Sequence, residues 1–208
     1  MPMVKVFIDT NTLVHWMIIK KKLESSGESA IEKYKNLRQS YEFIESAITG
    51  KFENAKFYIS HLTLAEMTKA LVDFLVYEKM RLDGVAAIYW GRYFKDYLLS
   101  HDEFGDFHDA VIKVSNLLED KLEVINDELF DLEYYPYFIA RAGLGAHDAI
   151  LLTTAIRKKI NYFVTMDRDF HDLLKDRRLK NIREFFKKQN LQIVKPKKMM
   201  QILRGDYE

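Results

Sequence analysis

Five short apolar runs, separated by longer stretches with helical spacing, constrain this chain more than any other feature. They are VKVFI at 4–8, KFYI at 56–59, LEVI at 122–125, YFVT at 162–165 and LQIV at 191–194. Runs this short and this apolar suit buried strands. After the first, DTNT offers helix-start chemistry and LVHWMIIKK continues as a helix. In residues 27–50, Ile31, Tyr34, Leu37, Tyr41, Ile44 and Ile48 recur every three or four positions and Gly50 supplies a stop, which predicts an amphipathic helix. Ser60 or Thr63 is placed to cap the helix LAEMTKALVDFLVYEKM. Residues 84–120 read as further helix, broken by the polar stretch SHDEFGDFHD.

A helix is expected over ELFDLEYYPYFIARAG, kinked or restarted at Pro136, and Gly143 and Gly145 then break the chain. AHDAILLTTAIRKK is a strongly apolar helix, and KPKKMMQIL a short final one with Pro196 near its start. Strands alternating with helices predict a three-layer α/β/α fold, a central parallel sheet flanked by helices. Neither an internal repeat nor a Pro/Gly-rich linker divides the chain, so residues 1–208 are read as one domain with helical insertions around 24–50 and 80–120.

Composition narrows the chemistry. With no cysteine, disulfides, thiolate metal sites and cysteine nucleophiles are excluded together. The N-terminus MPMVKVFIDT lacks the shape of a signal peptide, and no apolar run approaches the roughly 18 residues that span a bilayer, so a soluble, cytoplasmic protein is expected. The net charge of +1 hides an asymmetry: residues 171–208 carry 11 Lys and Arg against 5 Asp and Glu. Such a basic end suits a polyanion, although charge runs are usually solvated surface.

In a parallel α/β sheet, ligands gather beyond the carboxyl ends of the strands. Asp9 ends the first strand and Asp167 follows a later one, so the two acids should converge on one edge. Glu66 and Asp148 each fall in the first turn of a helix, where negative charge is favoured anyway by about 0.3–1 kcal/mol. Both sit among small or apolar neighbours, LTLAEMTKAL and GAHDAILLTTAI. Four carboxylates in one cleft repel one another unless a divalent cation holds them. All-oxygen donors suit Mg²⁺ or Mn²⁺. Zinc is disfavoured, because the single histidine beside these acids, His147, precedes the acidic pattern rather than joining it.

FIDTNTLV, LTLAEMTKAL, GAHDAILLTTAI and FVTMDRDF, in that order, resemble the four acidic motifs of the PIN-domain (PilT N-terminus-like) nuclease family. The resemblance spans residues 4 to about 194. It implies a Mg²⁺- or Mn²⁺-dependent ribonuclease in which Asp9, Glu66, Asp148 and Asp167 hold the metal and serve catalysis. Asp169 matches an accessory acid, Asn11 the polar residue two past the first acid, and Thr165 the hydroxyl residue before the last motif. Products with 5′-phosphate and 3′-hydroxyl ends are implied. The chain is longer than the compact PIN toxins, which leaves its branch of the family open. A toxin-like endoribonuclease restrained by a small antitoxin protein leads. A housekeeping RNA-processing nuclease, or a non-catalytic scaffold that binds RNA or protein, are the alternatives. A homodimer is expected, as is RNA contact by Lys175, Arg177, Arg178 and Lys180, the nearest basic residues after the last acidic motif.

Other features weigh less. HDEFGDFHD is dense in metal-ligating residue types but has no flanking ligand pattern, which favours a solvated loop and helix cap. The aromatics of DLEYYPYF read as core or a dimer surface before they read as base-stacking platforms. A haloacid-dehalogenase-like phosphatase would need a second aspartate where Asn11 stands, and no Gly-rich phosphate loop is present.

Overall fold

The computed structural model describes residues 3–26, 32, 34–129, 131–175 and 180–206. Its strands are β1 (Val4–Ile8), β2 (Ala55–Ser60), β3 (Glu123–Ile125), β4 (Tyr162–Val164) and β5 (Gln192–Val194). The longer helices are α1 (Thr10–Ser26), α2 (Arg38–Ile48), α3 (His61–Leu82), α4 (His101–Lys121), α5 (Ala146–Arg157), α6 (Arg168–Lys175), α7 (Lys180–Lys188) and α8 (Pro196–Arg204). All strands pair in parallel, in the order β3-β2-β1-β4-β5. Among the described residues, no helix is long and apolar enough to cross a membrane.

Because side chains alternate along a strand, each strand feeds two cores. Val6, Ile8, Phe57, Ile59 and Val164 face a cluster completed by Trp16 of α1, Phe43 and Ile44 of α2, Met67 of α3, Leu118 of α4 and Met199 of α8. Phe7, Tyr58, Phe163 and Ile193 face the other, with Leu151 and Leu152 of α5, Phe170 of α6 and Phe186 of α7. Phe7 stacks on Phe163 across the β1–β4 pair, ring centroids 5.4 Å apart, and Phe163 meets Phe170 at 4.9 Å. Burial of each such ring contributes about 1.5–3 kcal/mol. The three layers expected from the alternation are therefore present.

Strand order positions the site. From β1 the chain moves outward on one side through β2 to β3, then returns to place β4 on the other side of β1. The carboxyl ends of β1 and β4 thus flank the point where the order reverses, the place where such sheets open a crevice.

Three local expectations need correction. Helix α2 starts only at Arg38, with residues 34–37 in turns, while residues 27–31 and 33 lie outside the described residues. The stretch HDEFGDFHD is no loop: it forms the opening turns of α4, started by a capping box in which Ser100 accepts the Glu103 N–H and Glu103 accepts the Ser100 N–H. That reciprocal cap satisfies orphan donors and outweighs the break suggested by Gly105. The helix expected over ELFDLEYYPYFIARAG shrinks to Tyr135–Tyr137 and a wide π turn, Phe138–Ala142. Pro136 sits in its first turn, so it starts this helix rather than kinking a longer one, and Gly143 ends it at φ +70°. The aromatics here take their core role, Tyr134 and Tyr137 lying 5.4 and 5.7 Å from Phe185.

Candidate metal centre at the β1–β4 crevice

Asp9 leaves β1 at its carboxyl end and is 2% exposed. Its carbonyl accepts the N–H groups of Thr12 and Leu13, so the same residue starts α1. Its N–H donates to the Val164 carbonyl at 3.0 Å, which locks it beside β4. Thr165, fully buried, donates its hydroxyl to Asp9 Oδ2 at 2.7 Å and accepts the Asp167 N–H at 2.8 Å. Asp167 in turn accepts Asn11 Nδ2 at Oδ2 (2.9 Å) and the Asp169 N–H at Oδ1 (2.9 Å). The first and last acidic segments are knitted together although more than 150 residues separate them.

Glu66 arrives on α3, whose start is fixed by a second capping box between Ser60 and Thr63. Thr10 donates to Glu66 Oε2 at 2.6 Å, and His147 Nδ1 lies 2.7 Å from Glu66 Oε1. Asp148 enters in the first turn of α5, directly after His147. All four expected acids therefore reach one crevice, and Asn11 and Thr165 hold two of them in place. Asp169 is exposed at its margin and binds Asp167 through its backbone.

The electrostatics show how crowded the crevice is. Burial pushes the Asp9 carboxyl up to about 7; the Thr165 hydrogen bond opposes this, while the charges of Asp148 and Asp167 add to it. Burial also raises Asp148, to about 6, reinforced by Asp167, Glu66 and Asp169 and offset by His147 alone. Two carboxyls so shifted mark negative charge without a sufficient counter-charge. Among the described residues, no three His, Asp or Glu side chains already form a group that could hold a metal ion. Glu66, Asp9 and Asp167 each hydrogen-bond a neighbouring polar side chain, Thr10, Thr165 and Asn11 respectively. The donor chemistry nevertheless fits a hard divalent cation, since every acid brings oxygen and each bonded oxygen keeps a further lone pair.

Three residues here escaped the sequence reading. His147, set aside as preceding the acidic pattern, pairs with Glu66; its position next to Asp148 in a helix's first turn was the available signal. Thr10 was visible only as helix-start chemistry. His171, half-buried, places Nε2 3.0 Å from the Thr165 carbonyl, which can only accept, so that nitrogen carries the proton. Burial lowers its pKa. Of the expected RNA contacts, Lys175 and Lys180 are described and each pairs with an acid of its own helix. Lys175 pairs with Asp172 at 3.1 Å and Lys180 with Glu184 at 3.6 Å, all exposed, while Arg177 and Arg178 lie outside the described residues.

Comparison with protein-family models, with curated proteins and with solved structures finds no match for this chain.

Proposed function

We propose that this chain is a metal-dependent endoribonuclease of PIN type, hydrolysing RNA phosphodiester bonds at the crevice of Asp9, Glu66, Asp148 and Asp167, in a toxin-like role restrained by an antitoxin protein. The observation that carries the reading is the convergence of these four acids at the β1–β4 crevice, with Asp9 buried and two carboxyls pushed up to about 7 and about 6. A crevice built only to stabilise the fold would not gather like charges at such electrostatic cost.

Asp9, Glu66, Asp148 and Asp167 would hold Mg²⁺ or Mn²⁺, with Asp169 as an accessory acid. Such an ion supplies Lewis-acid charge to a phosphate and makes water a nucleophile near neutral pH. Thr165 fixes the rotamer of Asp9 and the backbone of Asp167 together, and Asn11 orients Asp167 from α1. Thr10 and His147 hold Glu66 from either side. His147, with a side chain 63% exposed, is open to solvent beside these acids. No side chain need serve as a covalent nucleophile.

The direct test is cleavage of a mixed RNA substrate with Mn²⁺, Mg²⁺ or chelator, by wild type and Asp9→Asn purified side by side. Metal-dependent cleavage by wild type and its loss in the variant are expected. Equal activity of the two, in preparations free of contaminating nuclease, would sink the reading. Sequencing RNA ends after expressing both proteins identifies the target, and an antitoxin-like reading frame beside the gene tests the toxin role.

A further inference from the structure

The residues that follow β1, β4 and β5 form a single row. Val164 pairs with Ile8 on one side and with Val194 on the other, so the next residues along, Asp9, Thr165 and Lys195, stand abreast across three adjacent strands. The ladder continues into them: the Asp9 N–H donates to the Val164 carbonyl and the Thr165 N–H to the Val194 carbonyl, each at 3.0 Å, and Lys195 keeps an extended backbone. Ile8, Val164 and Val194 all face the core that α1 and α2 complete. By alternation the three residues after them face the other way, toward α5 and α6. With strands about 4.8 Å apart, the Lys195 backbone lies about 10 Å from that of Asp9, on the same face.

A second set of interactions ties Lys195 to the acids. His171 of α6 donates its Nε2–H to the Thr165 carbonyl at 3.0 Å. Burial lowers its pKa, and the positive charges of Lys195 and Lys175 add to that push while the negative charge of Asp167 opposes it. One ring thus lies within electrostatic reach of Asp167 and of both ammonium groups. Lys175 is paired with Asp172, whereas Lys195 is exposed and, among the described residues, has no ion-pair partner. The other end of the sheet differs. Two residues past β3, Asp127 accepts the Leu62 N–H at 2.9 Å, and its second oxygen is buried with no partner among the described residues. A polyanion crossing the carboxyl ends of the strands therefore meets negative charge toward β3 and an unpaired ammonium group toward β5.

Resting on the proposed nuclease reading, we infer that Lys195 is a substrate-binding residue that holds an RNA backbone phosphate beside the one to be cut, so that the strand leaves the crevice over β5. An ammonium group on a flexible four-carbon stem binds phosphate as a point charge. The base of that stem is fixed, because the Lys195 carbonyl accepts the Met199 N–H at 3.0 Å and β5 is held against β4. Strand register, and not distance along the chain from the last acidic motif, brings this lysine to the site.

The test reads binding and cleavage separately. Binding of a mixed-sequence single-stranded RNA is measured across a salt series in an Asp9→Asn background, where the strand stays whole, and steady-state cleavage with Mn²⁺ in the otherwise unaltered chain. Lys195→Gln is expected to raise both the dissociation constant and KM about tenfold with kcat within about twofold, and to lower the log–log salt slope by about 0.7 units. Lys195→Arg keeps the charge and should hold all of these near wild type. Lys51→Gln removes an exposed lysine that precedes β2, at the opposite edge of the sheet, and should change nothing. A Lys195→Gln chain that binds and cleaves like wild type, an equal loss in Lys51→Gln, or a fall in kcat at unchanged KM would overturn the assignment, while metal-dependent cleavage persisting in these chains would leave the nuclease reading standing. RNA binding that depends on Lys195 in a chain that never cleaves would sink the nuclease reading and keep the contact, and the absence of any RNA binding would overturn both.

Discussion

Thr165 and Asp9 meet through a single hydroxyl proton, Oγ1 to Oδ2 at 2.7 Å, in a fully buried position where that same oxygen also accepts the Asp167 N–H. The bond is the one interaction that opposes the upward push of burial on Asp9 through a side chain. Replacing Thr165 with Val keeps the shape and removes both interactions, taking a donor from the buried Asp9 carboxyl and the acceptor from the part-buried Asp167 N–H. A loss of about 1–3 kcal/mol is expected in urea unfolding at neutral pH. Thr165→Ser restores the hydroxyl and should recover most of it, as well as any of the proposed nuclease activity that Thr165→Val is expected to lose. A Val variant as stable as wild type, with the Ser variant the weaker of the two, would show that the methyl group, not the hydroxyl, matters here.

The raised carboxyls set a pH dependence. Asp9 and Asp148 titrate at about 7 and about 6 in the fold, against an ordinary value of 3.8 for each. The fold therefore binds more protons than the unfolded chain between those limits, and stability falls as pH rises. The contribution is complete below the ordinary value and is lost as pH climbs through about 6 and about 7. Metal-free protein should accordingly melt at a lower temperature at about pH 8 than at about pH 5, and Asp9→Asn should flatten that slope and melt higher at about pH 8. A divalent cation competes with these protons, so Mn²⁺ should raise the melting temperature more at the higher pH. Thermal scans with Mn²⁺ and with chelator check both; no shift with millimolar Mn²⁺ at the higher pH would count against a metal centre.

Asn11 offers a sharper electrostatic test. Its amide donates to Asp167 Oδ2 at 2.9 Å. Asn11→Asp would exchange that donor for another negative charge in a crevice already short of counter-charge. Destabilisation of about 1–3 kcal/mol is expected without metal, with part of it recovered in Mg²⁺ or Mn²⁺. Asn11→Ala removes the hydrogen bond without adding charge, so its loss should respond less to the cation. Chemical denaturation of the two variants with and without Mn²⁺ separates the effects.

Ser60 tests how the site depends on a helix cap. It is fully buried, accepts the Thr63 N–H, and fixes the start of the helix that carries Glu66. Ser60→Ala should cost about 0.5–2 kcal/mol of global stability in urea unfolding. Because Glu66 is also held by Thr10, cleavage at temperatures well below the melt should fall less than it does for Glu66→Gln.

The architecture was legible because short apolar runs and helical spacing are local signals that agree along the chain: Val4–Ile8 and Ala146–Arg157 could be placed from their own residues. The convergence of Asp9 with Asp167 followed from a rule about parallel sheets. Contacts that depend on rotamers were not legible. Nothing in HDAILL says that the His147 ring reaches Glu66 from another helix, and nothing in DTNT says that Thr10 does so as well. The polar opening of α4 was misread because composition suggested a loop while Ser100 and Glu103, three apart, supplied a reciprocal cap. The capping-box spacing was present in SHDE and outweighs polarity as a local signal.

The basic residues after the last acidic motif carry the remaining prediction. An acidic crevice repels the phosphates it would cut, and Lys175 and Lys180 are the described members of the expected RNA patch. Each is engaged in an exposed pair within its own helix, with Asp172 and Glu184 respectively. Exposed pairs of this kind are worth only about 0–1 kcal/mol, so a phosphate can displace the carboxylate at little cost. Neutralising Lys175, Arg177, Arg178 and Lys180 together should weaken RNA binding and flatten its salt dependence, by about 0.7 units of log–log slope for each single-strand phosphate no longer neutralised. Such residues position the strand rather than react, so the cleavage rate at saturating RNA should be preserved. Filter binding across a salt series, run beside single-turnover cleavage, measures both quantities. A quadruple alanine variant with unchanged affinity and slope would return these residues to ordinary solvated surface, and one that lost the saturated rate would place them closer to the chemistry than their local pairing suggests.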